Sequence, residues 1–257
     1  MDLLKYKYYQ RESVFKPENL LREAKRQKEK KDCNVPSVCL LDPDGDLSEY
    51  LLKTNQASLN ECWACYHSKL YSFKVDGIEV GIIPCIVGSS YAVLVAEQLF
   101  VSGCTSLISI TSSGIISQPQ SSKRFALITK AKRDEGTSYH YLPPDAISKL
   151  SQVLYEKLAV GSSAADCPYF EAKSWTTDAP YRETQAAITA MEKEGVCCVE
   201  MESAALYAFA EAKQKNVVCL AHLTNTMAQT EGDFEKGEHF GSIDSLNLLS
   251  YLLKRIL

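Results

Sequence analysis

Residues 196–212, VCCVEMESAALYAFAEA, decide the fold of this chain. The stretch opens with four small or β-branched apolar residues, as in a short buried strand, and continues from Glu202 in alanine and leucine, as in a helix. Two glutamates, Glu200 and Glu202, flank Met201 at the junction. Acidic residues favour a helix N-terminus through the helix dipole, so a structural role explains them as well as a functional one.

The same alternation of strand and helix extends along most of the chain. Apolar, β-branched runs predict strands over residues 35–41, 77–87, 107–113, 125–131, 196–200 and 217–223. Helical patterns fall at residues 16–31, 90–102, 145–159, 202–212 and 243–257. Strands that alternate with helices of this length indicate βαβ units and a largely parallel central sheet.

Composition excludes several classes of protein. The chain has 257 residues, of which 46% are hydrophobic and 23% charged, and this is a globular composition. A net charge of -4 argues against a nucleic-acid partner, and no apolar run approaches the length of about 18 residues that a membrane span needs. The polar first residues do not resemble a signal peptide, so we expect a cytoplasmic protein with no membrane partner.

We therefore expect the ten cysteines to be reduced thiols, because the cytosol disfavours disulfides. Cys62 and Cys65 have the CxxC spacing of a zinc site, but no second pair follows and the four histidines are scattered. We therefore expect no metal site and interpret most cysteines as small core residues.

Polar residues follow four of the predicted strands, at residues 112–114, 132–140, 200–202 and 224–226. In parallel sheets, ligands bind at the carboxyl ends of the strands, so these segments are expected to form one site. A carboxylate from the 200–202 segment offers two oxygens that can accept hydrogen bonds from adjacent sugar hydroxyls.

The sequence Glu-Met-Glu-Ser-Ala at residues 200–204 resembles the ribose-binding signature of the nucleoside phosphorylase/uridine phosphorylase superfamily. Further segments resemble this family in the same order along the chain: residues 14–15 (VF), 39–46 (CLLDPDGD), 86–99, 108–116 (ISITSSGII), 133–143 (RDEGTSYHYLP) and 176–178 (TTD). The resemblance implies a single-domain three-layer α/β/α sandwich with a mixed, mostly parallel central sheet. It places this domain at residues 35–257, after an N-terminal helical segment at residues 1–34.

The resemblance also implies how the sugar is held. Met201 and Glu202 would bind the ribose, with Glu202 on the 2′- and 3′-hydroxyls and Glu200 at a further ribose-side position. Lys16 matches a histidine that reaches the 5′ position from a neighbouring subunit, and a lysine there would favour an anionic 5′ substituent. The family's shared sites imply a homo-oligomer, either a dimer or a trimer of dimers.

For the base, the resemblance points to the segment that follows Asp178. Tyr181 would stack on the base, and Arg182 would donate to a base carbonyl, although both also suit a surface turn. Asn225 stands where purine-specific members carry an aspartate, and an amide cannot donate a full proton. This favours uridine-like substrates.

The chain departs from the family at the phosphate site. The family's phosphate-binding arginines are replaced by the run Leu41-Asp42-Pro43-Asp44-Gly45, by Ser109 and by residues 66–68. Arginine's planar fork is hard to replace in oxyanion binding, and the two acids would repel phosphate. The remaining donors for phosphate or another nucleophile are Ser112, Ser113, backbone amides at Gly114 and the charge of Arg133, with Lys16 and Lys132 as further cations.

Three functions remain open from the sequence. The first is a nucleoside phosphorylase, a pentosyltransferase with phosphate as co-substrate and no cofactor, in which Glu202 and Asn225 act in catalysis. The second is a hydrolytic nucleosidase, in which Glu200, Glu202 or Glu231 serves as the general base for water. The third is a non-catalytic nucleoside-binding or storage protein.

Overall fold

The computed structural model describes residues 4–119, 121–145, 147–159, 166–227 and 231–257. In these ranges the strands are β1 (Val38–Asp42), β2 (Ser58–Leu59), β3 (Tyr71–Val75), β4 (Ile78–Pro84), β5 (Ser106–Ile115), β6 (Phe125–Asp134), β7 (Ile147–Lys149), β8 (Tyr169–Thr177), β9 (Cys198–Glu200) and β10 (Asn216–Asn225). The helices are α1 (Pro17–Gln27), α2 (Asp46–Lys53), α3 (Ser89–Val101), α4 (Gln152–Ala159), α5 (Gln185–Lys193), α6 (Ser203–Lys213) and α7 (Ser242–Ile256).

The strands form one mixed sheet in the order β10-β6-β8-β9-β5-β1-β4-β3-β2, with β7 paired to β6. Its longest ladders, β5 with β10 and β6 with β8, are parallel. This confirms the predicted α/β fold with a mixed central sheet. Because β10 pairs with both β5 and β6, the strands β5, β9, β8, β6 and β10 also close into a ring.

Helix α6 packs against three strands of this ring, β6, β8 and β10, and against β7. Its residues from Ser203 to Ala210 are all buried, and three of them, Ala204, Ala205 and Ala208, are small enough to bring the helix close to the sheet. A helix that is apolar on every side belongs inside the protein. The Ala-rich run after Glu202 therefore fixes the start of α6, and the glutamates before it, in the centre of the fold.

The helix predicted over residues 145–159 is wrong in its first half. Residues Ile147–Lys149 form β7, antiparallel to β6, and α4 begins only at Gln152. Ser148 is buried and donates to the carbonyl of Ala204 at 2.8 Å. Pairing with a distant strand thus overrides the local helical pattern.

The prediction that all ten cysteines are reduced thiols is also wrong. Cys33 and Cys62 form a disulfide with an S–S distance of 2.12 Å, which ties the segment after α1 to the loop before β3. The other eight cysteines are free, and only Cys85 among them is exposed. In the described residues, no helix is both long and apolar enough to cross a bilayer.

The disulfide closes a loop of 29 residues and should stabilise the fold by about 3–4 kcal/mol, because it restricts the unfolded chain. Replacing Cys33 with serine should lower the free energy of unfolding by up to that amount under non-reducing conditions. Urea denaturation with and without reductant measures this. Reductant should destabilise the wild-type protein and leave Cys33→Ser unaffected, whereas a wild-type protein that is insensitive to reductant would contradict the assignment.

Candidate active site

Glu200 joins the end of β8 to the first turn of α6. One carboxylate oxygen accepts from the hydroxyls of Ser174 and Thr176, and the other accepts from the backbone amides of Glu202 and Ser203 at 2.8 and 2.7 Å. These amides have no partner within the helix, and a carboxylate is the favoured cap for them. Both oxygens of Glu200 are thus engaged inside the protein, so it positions the residues that follow it.

Glu202 lies at the centre of the site and is 1% exposed. One carboxylate oxygen accepts from the backbone amide of Gly88 at 2.7 Å, while the other, Oε2, is buried without a hydrogen-bond partner among the described residues. Ser89 donates to the carbonyl of Met201 at 2.7 Å, which holds the start of α3 against the same turn. Burial, followed by the charge of Glu200, raises the pKa of Glu202 to about 8.

Glu202 faces a cavity of about 360 Å³, within the size range of small-ligand sites. The cavity wall contains eight residues that the sequence predicted for the site: Ser112, Ser113, Gly114, Tyr181, Glu200, Met201, Glu202 and Asn225. They come from the last residues of β5, β9 and β10 and from the segments that follow β8 and β9, as expected for a site at the carboxyl ends of strands. Sequence positions far apart in the chain therefore meet in one cleft.

The carboxylate of Asp44 occupies the Ser112 donors that the sequence predicted for phosphate or another nucleophile. Its carboxylate accepts from the backbone amide of Ser112 at 2.8 Å and from the Ser112 hydroxyl at 2.7 Å. The hydroxyl of Ser113 donates to the carbonyl of His222 at 3.0 Å and is also engaged. The ammonium of Lys236 lies 3.4 Å from Asp44 and forms a closer ion pair with Asp46.

The neighbouring acid, Asp42, has a structural role. It is buried, and its carboxylate accepts from the amides of Ser48 at 2.8 Å and Gly45 at 3.2 Å, which orders the start of α2. Burial raises the pKa of Asp42 to about 6. Of Asp42 at the end of β1 and Asp44 in the loop after it, only Asp44 lines this cavity.

Four predicted site residues lie outside the cavity wall. The guanidinium of Arg133 is buried and donates to Ser138 and to the carbonyls of Leu142 and Pro143. The remaining three are bonded or exposed elsewhere: Asp178 accepts from Gly136, Arg182 is exposed, and Lys16 pairs with Glu12 at 2.6 Å. The roles of Asp178 and Arg182 in base binding and of Lys16 in a neighbouring subunit stay predictions.

Two further charged candidates do not reach the cavity wall either. Lys132 pairs with Glu194 at 2.5 Å, and Glu231 is exposed. The described residues also contain no cluster of three or more histidine, cysteine, aspartate or glutamate side chains arranged to hold a metal ion.

At the end of β10, Asn225 and Met227 line the cavity. Asn225 accepts from the amide of Met227 at 2.9 Å and donates to the Thr224 hydroxyl at 3.1 Å, so both ends of its amide are engaged locally. Gly114 allows this approach, because a Cβ there would lie 2.8 Å from the Met227 sulfur. Glu183 also lines the cavity and belongs to the segment after Asp178 that the sequence predicted for the base, whereas no local pattern marks Met227 or Phe234, which line the cavity as well.

Residues 45–256 match the sequence model of the phosphorylase superfamily. Among solved structures, uridine phosphorylase from Vibrio fischeri ES114 in complex with 6-hydroxy-1-naphthoic acid superposes with a TM-score of 0.69 at 17% identity, covering 85% of this chain and 90% of that one. Purine nucleoside phosphorylase from Toxoplasma gondii in complex with immucillin-H superposes equally well, with a TM-score of 0.69 at 14% identity, covering 86% and 90%. No curated protein matches the sequence.

The raised pKa of Glu202 predicts how stability depends on pH. Since the folded protein holds the Glu202 proton up to about pH 8 and the unfolded chain loses it near pH 4.5, this group's contribution to stability falls as pH rises between those values. Glu202→Gln keeps a neutral group and should show a smaller fall. Melting temperatures from pH 5 to 9 test this, with exposed Glu49→Gln as control. Identical pH profiles for Glu202→Gln and the wild-type protein would contradict it.

Proposed function

The chain belongs to the phosphorylase superfamily, whose membership supports nucleoside cleavage as the general activity, and from that premise we propose that it hydrolyses the N-glycosidic bond of ribonucleosides. The observation that carries the choice of water over phosphate is the pair of hydrogen bonds from Ser112 to the Asp44 carboxylate. Phosphate at those donors would have to displace a group of its own charge. No lysine or arginine belongs to the described wall of the cavity to offset the repulsion.

The proposed sugar site is built on Glu202. A buried carboxylate oxygen without a partner is costly, and a ribose hydroxyl would satisfy it. The amide of Gly88 fixes the other oxygen, so the carboxylate presents one defined edge to the 2′- and 3′-hydroxyls. Hydrogen bonds from a diol favour the ionised carboxylate, so sugar binding would lower the pKa of Glu202 and release its proton.

In the proposed mechanism, the C1′–N bond breaks through an oxocarbenium-like state. A water next to Asp44 forms the new bond to C1′ and gives its proton to the Asp44 carboxylate, while the bonding electrons leave with the base. The amide and hydroxyl of Ser112 hold Asp44 in one orientation, and the anionic Glu202 stabilises the positive charge on the sugar.

Phosphorolysis is the second candidate, and one observation favours it. The Lys236 ammonium, 3.4 Å from Asp44, is a cation next to the donors of Ser112. If Asp44 turned away, Lys236 and Ser112 together would offer an anion site. Activity that requires phosphate would therefore assign the reaction to this second candidate.

Release of free base from purine and pyrimidine ribonucleosides, with and without phosphate, tests the proposal. We expect release without phosphate, together with free ribose. Asp44→Asn should lower kcat by about 10²–10⁴-fold, the range for loss of a general base, whereas Glu49→Gln on the exposed face of α2 should not change it.

Two results would contradict hydrolysis. Release that depends on phosphate, with a sugar 1-phosphate as product, would identify a phosphorylase. Nucleoside binding without release from any substrate would identify a binding protein.

A further inference from the structure

One carboxyl group of the cavity wall has no partner, and it belongs to the segment after Asp178 that we assign to the base and call the base side. Glu183 lies between the 3-10 turn Pro180–Arg182 and the start of α5, and it lines the same cavity as Glu202. It is half-buried, and burial is the one influence on its carboxyl, which has no hydrogen-bond or ion-pair partner among the residues that the structure describes. A group fixed between two helical segments, yet unbonded, is free to bond to a ligand.

The surroundings of Glu183 favour a protonated carboxyl. Met227, Phe234 and Pro180 contribute apolar surface to this side of the cavity. The other titratable acids of the wall are Asp44, Glu200 and Glu202, and the described wall contains no cation to offset them. Burial raises the pKa of Glu183 to about 7, so a large fraction of the group carries a proton at neutral pH.

Asn225 cannot supply that proton. Both ends of its amide are bonded to neighbouring residues, and an amide is not an acid at neutral pH. Cleavage of a nucleoside is faster when the departing base is neutralised, because the bonding electrons move onto its ring. Glu183 is the remaining acid on the base side of the described wall.

We propose that Glu183 is the general acid that protonates the leaving base, and that the substrate is a nucleoside whose base accepts a proton on a ring nitrogen, as a purine does. This rests on the proposed hydrolysis. The Glu183 proton moves to the ring nitrogen as the C1′–N electrons enter the base. The water proton taken by Asp44 passes to solvent, and solvent reprotonates Glu183, so the reaction consumes one water and yields neutral base and ribose. The purine assignment replaces the preference for uridine-like substrates drawn from Asn225.

Two leaving groups separate this role from a structural one. Adenosine needs protonation of its base, whereas 4-nitrophenyl β-D-ribofuranoside releases a stable nitrophenolate without it. Glu183→Gln should lower kcat/KM for adenosine by about 10²–10³-fold and leave that for the nitrophenyl riboside within about threefold. Glu192→Gln, an exposed glutamate on α5, is the matched control and should match the wild-type protein on both substrates.

Equal losses of kcat/KM on both substrates, or no loss on either, would overturn the role of Glu183. Faster cleavage of uridine than of adenosine by the wild-type protein would overturn the purine assignment. Cleavage that requires phosphate would contradict hydrolysis alone, because the selective effect of Glu183→Gln can still be measured with phosphate present. A wild-type protein that cleaves neither substrate would overturn both proposals.

Discussion

The site depends on the buried carboxylate of Glu200. Its four hydrogen bonds hold the end of β8, through Ser174 and Thr176, to the first turn of α6. Removing the carboxylate would leave buried donors unsatisfied, at a cost of about 1–3 kcal/mol for each. This one contact fixes the backbone at Met201 and thereby aims Glu202 into the cavity. Glu200, which the sequence predicted on the ribose side, therefore shapes the site by holding the backbone amides of Glu202 and Ser203.

The acids of the site differ because their partners differ. Glu200 is saturated with donors, Glu202 has one free oxygen, Asp44 is bonded to Ser112, and Glu183 has no bond at all. In a cavity wall whose described part contains no cation, burial raises the pKa of Glu202 and that of Glu183. Such a site suits cleavage with water as the nucleophile, in which one acid receives a proton and another gives one.

The sequence was sufficient to predict what local patterns encode. The strand–helix alternation, the ends of the strands and the Glu200–Glu202 junction each depend on neighbouring residues, and these predictions were close to the structure. Contacts between distant residues could not be predicted in this way. Asp44 meets Ser112 across 68 positions, Cys33 meets Cys62 across 29, and β7 forms only because β6 lies beside it. The sequence predicted that Asp42 and Asp44 would repel phosphate. No local pattern indicates that the Asp44 carboxylate accepts hydrogen bonds from Ser112.

Calorimetric binding can test whether the unpartnered oxygen of Glu202 receives the ribose diol, as we propose. Adenosine and 2′-deoxyadenosine would be titrated at pH 7 into Asp44→Asn, which should consume the ligand too slowly to disturb the titration, in two buffers of different ionisation enthalpy. We expect adenosine to bind about 10–100-fold more tightly, as loss of a hydrogen bond to a charged group implies, and to release a proton from Glu202. Equal affinity for the two nucleosides, with no proton released, would contradict this role of Glu202.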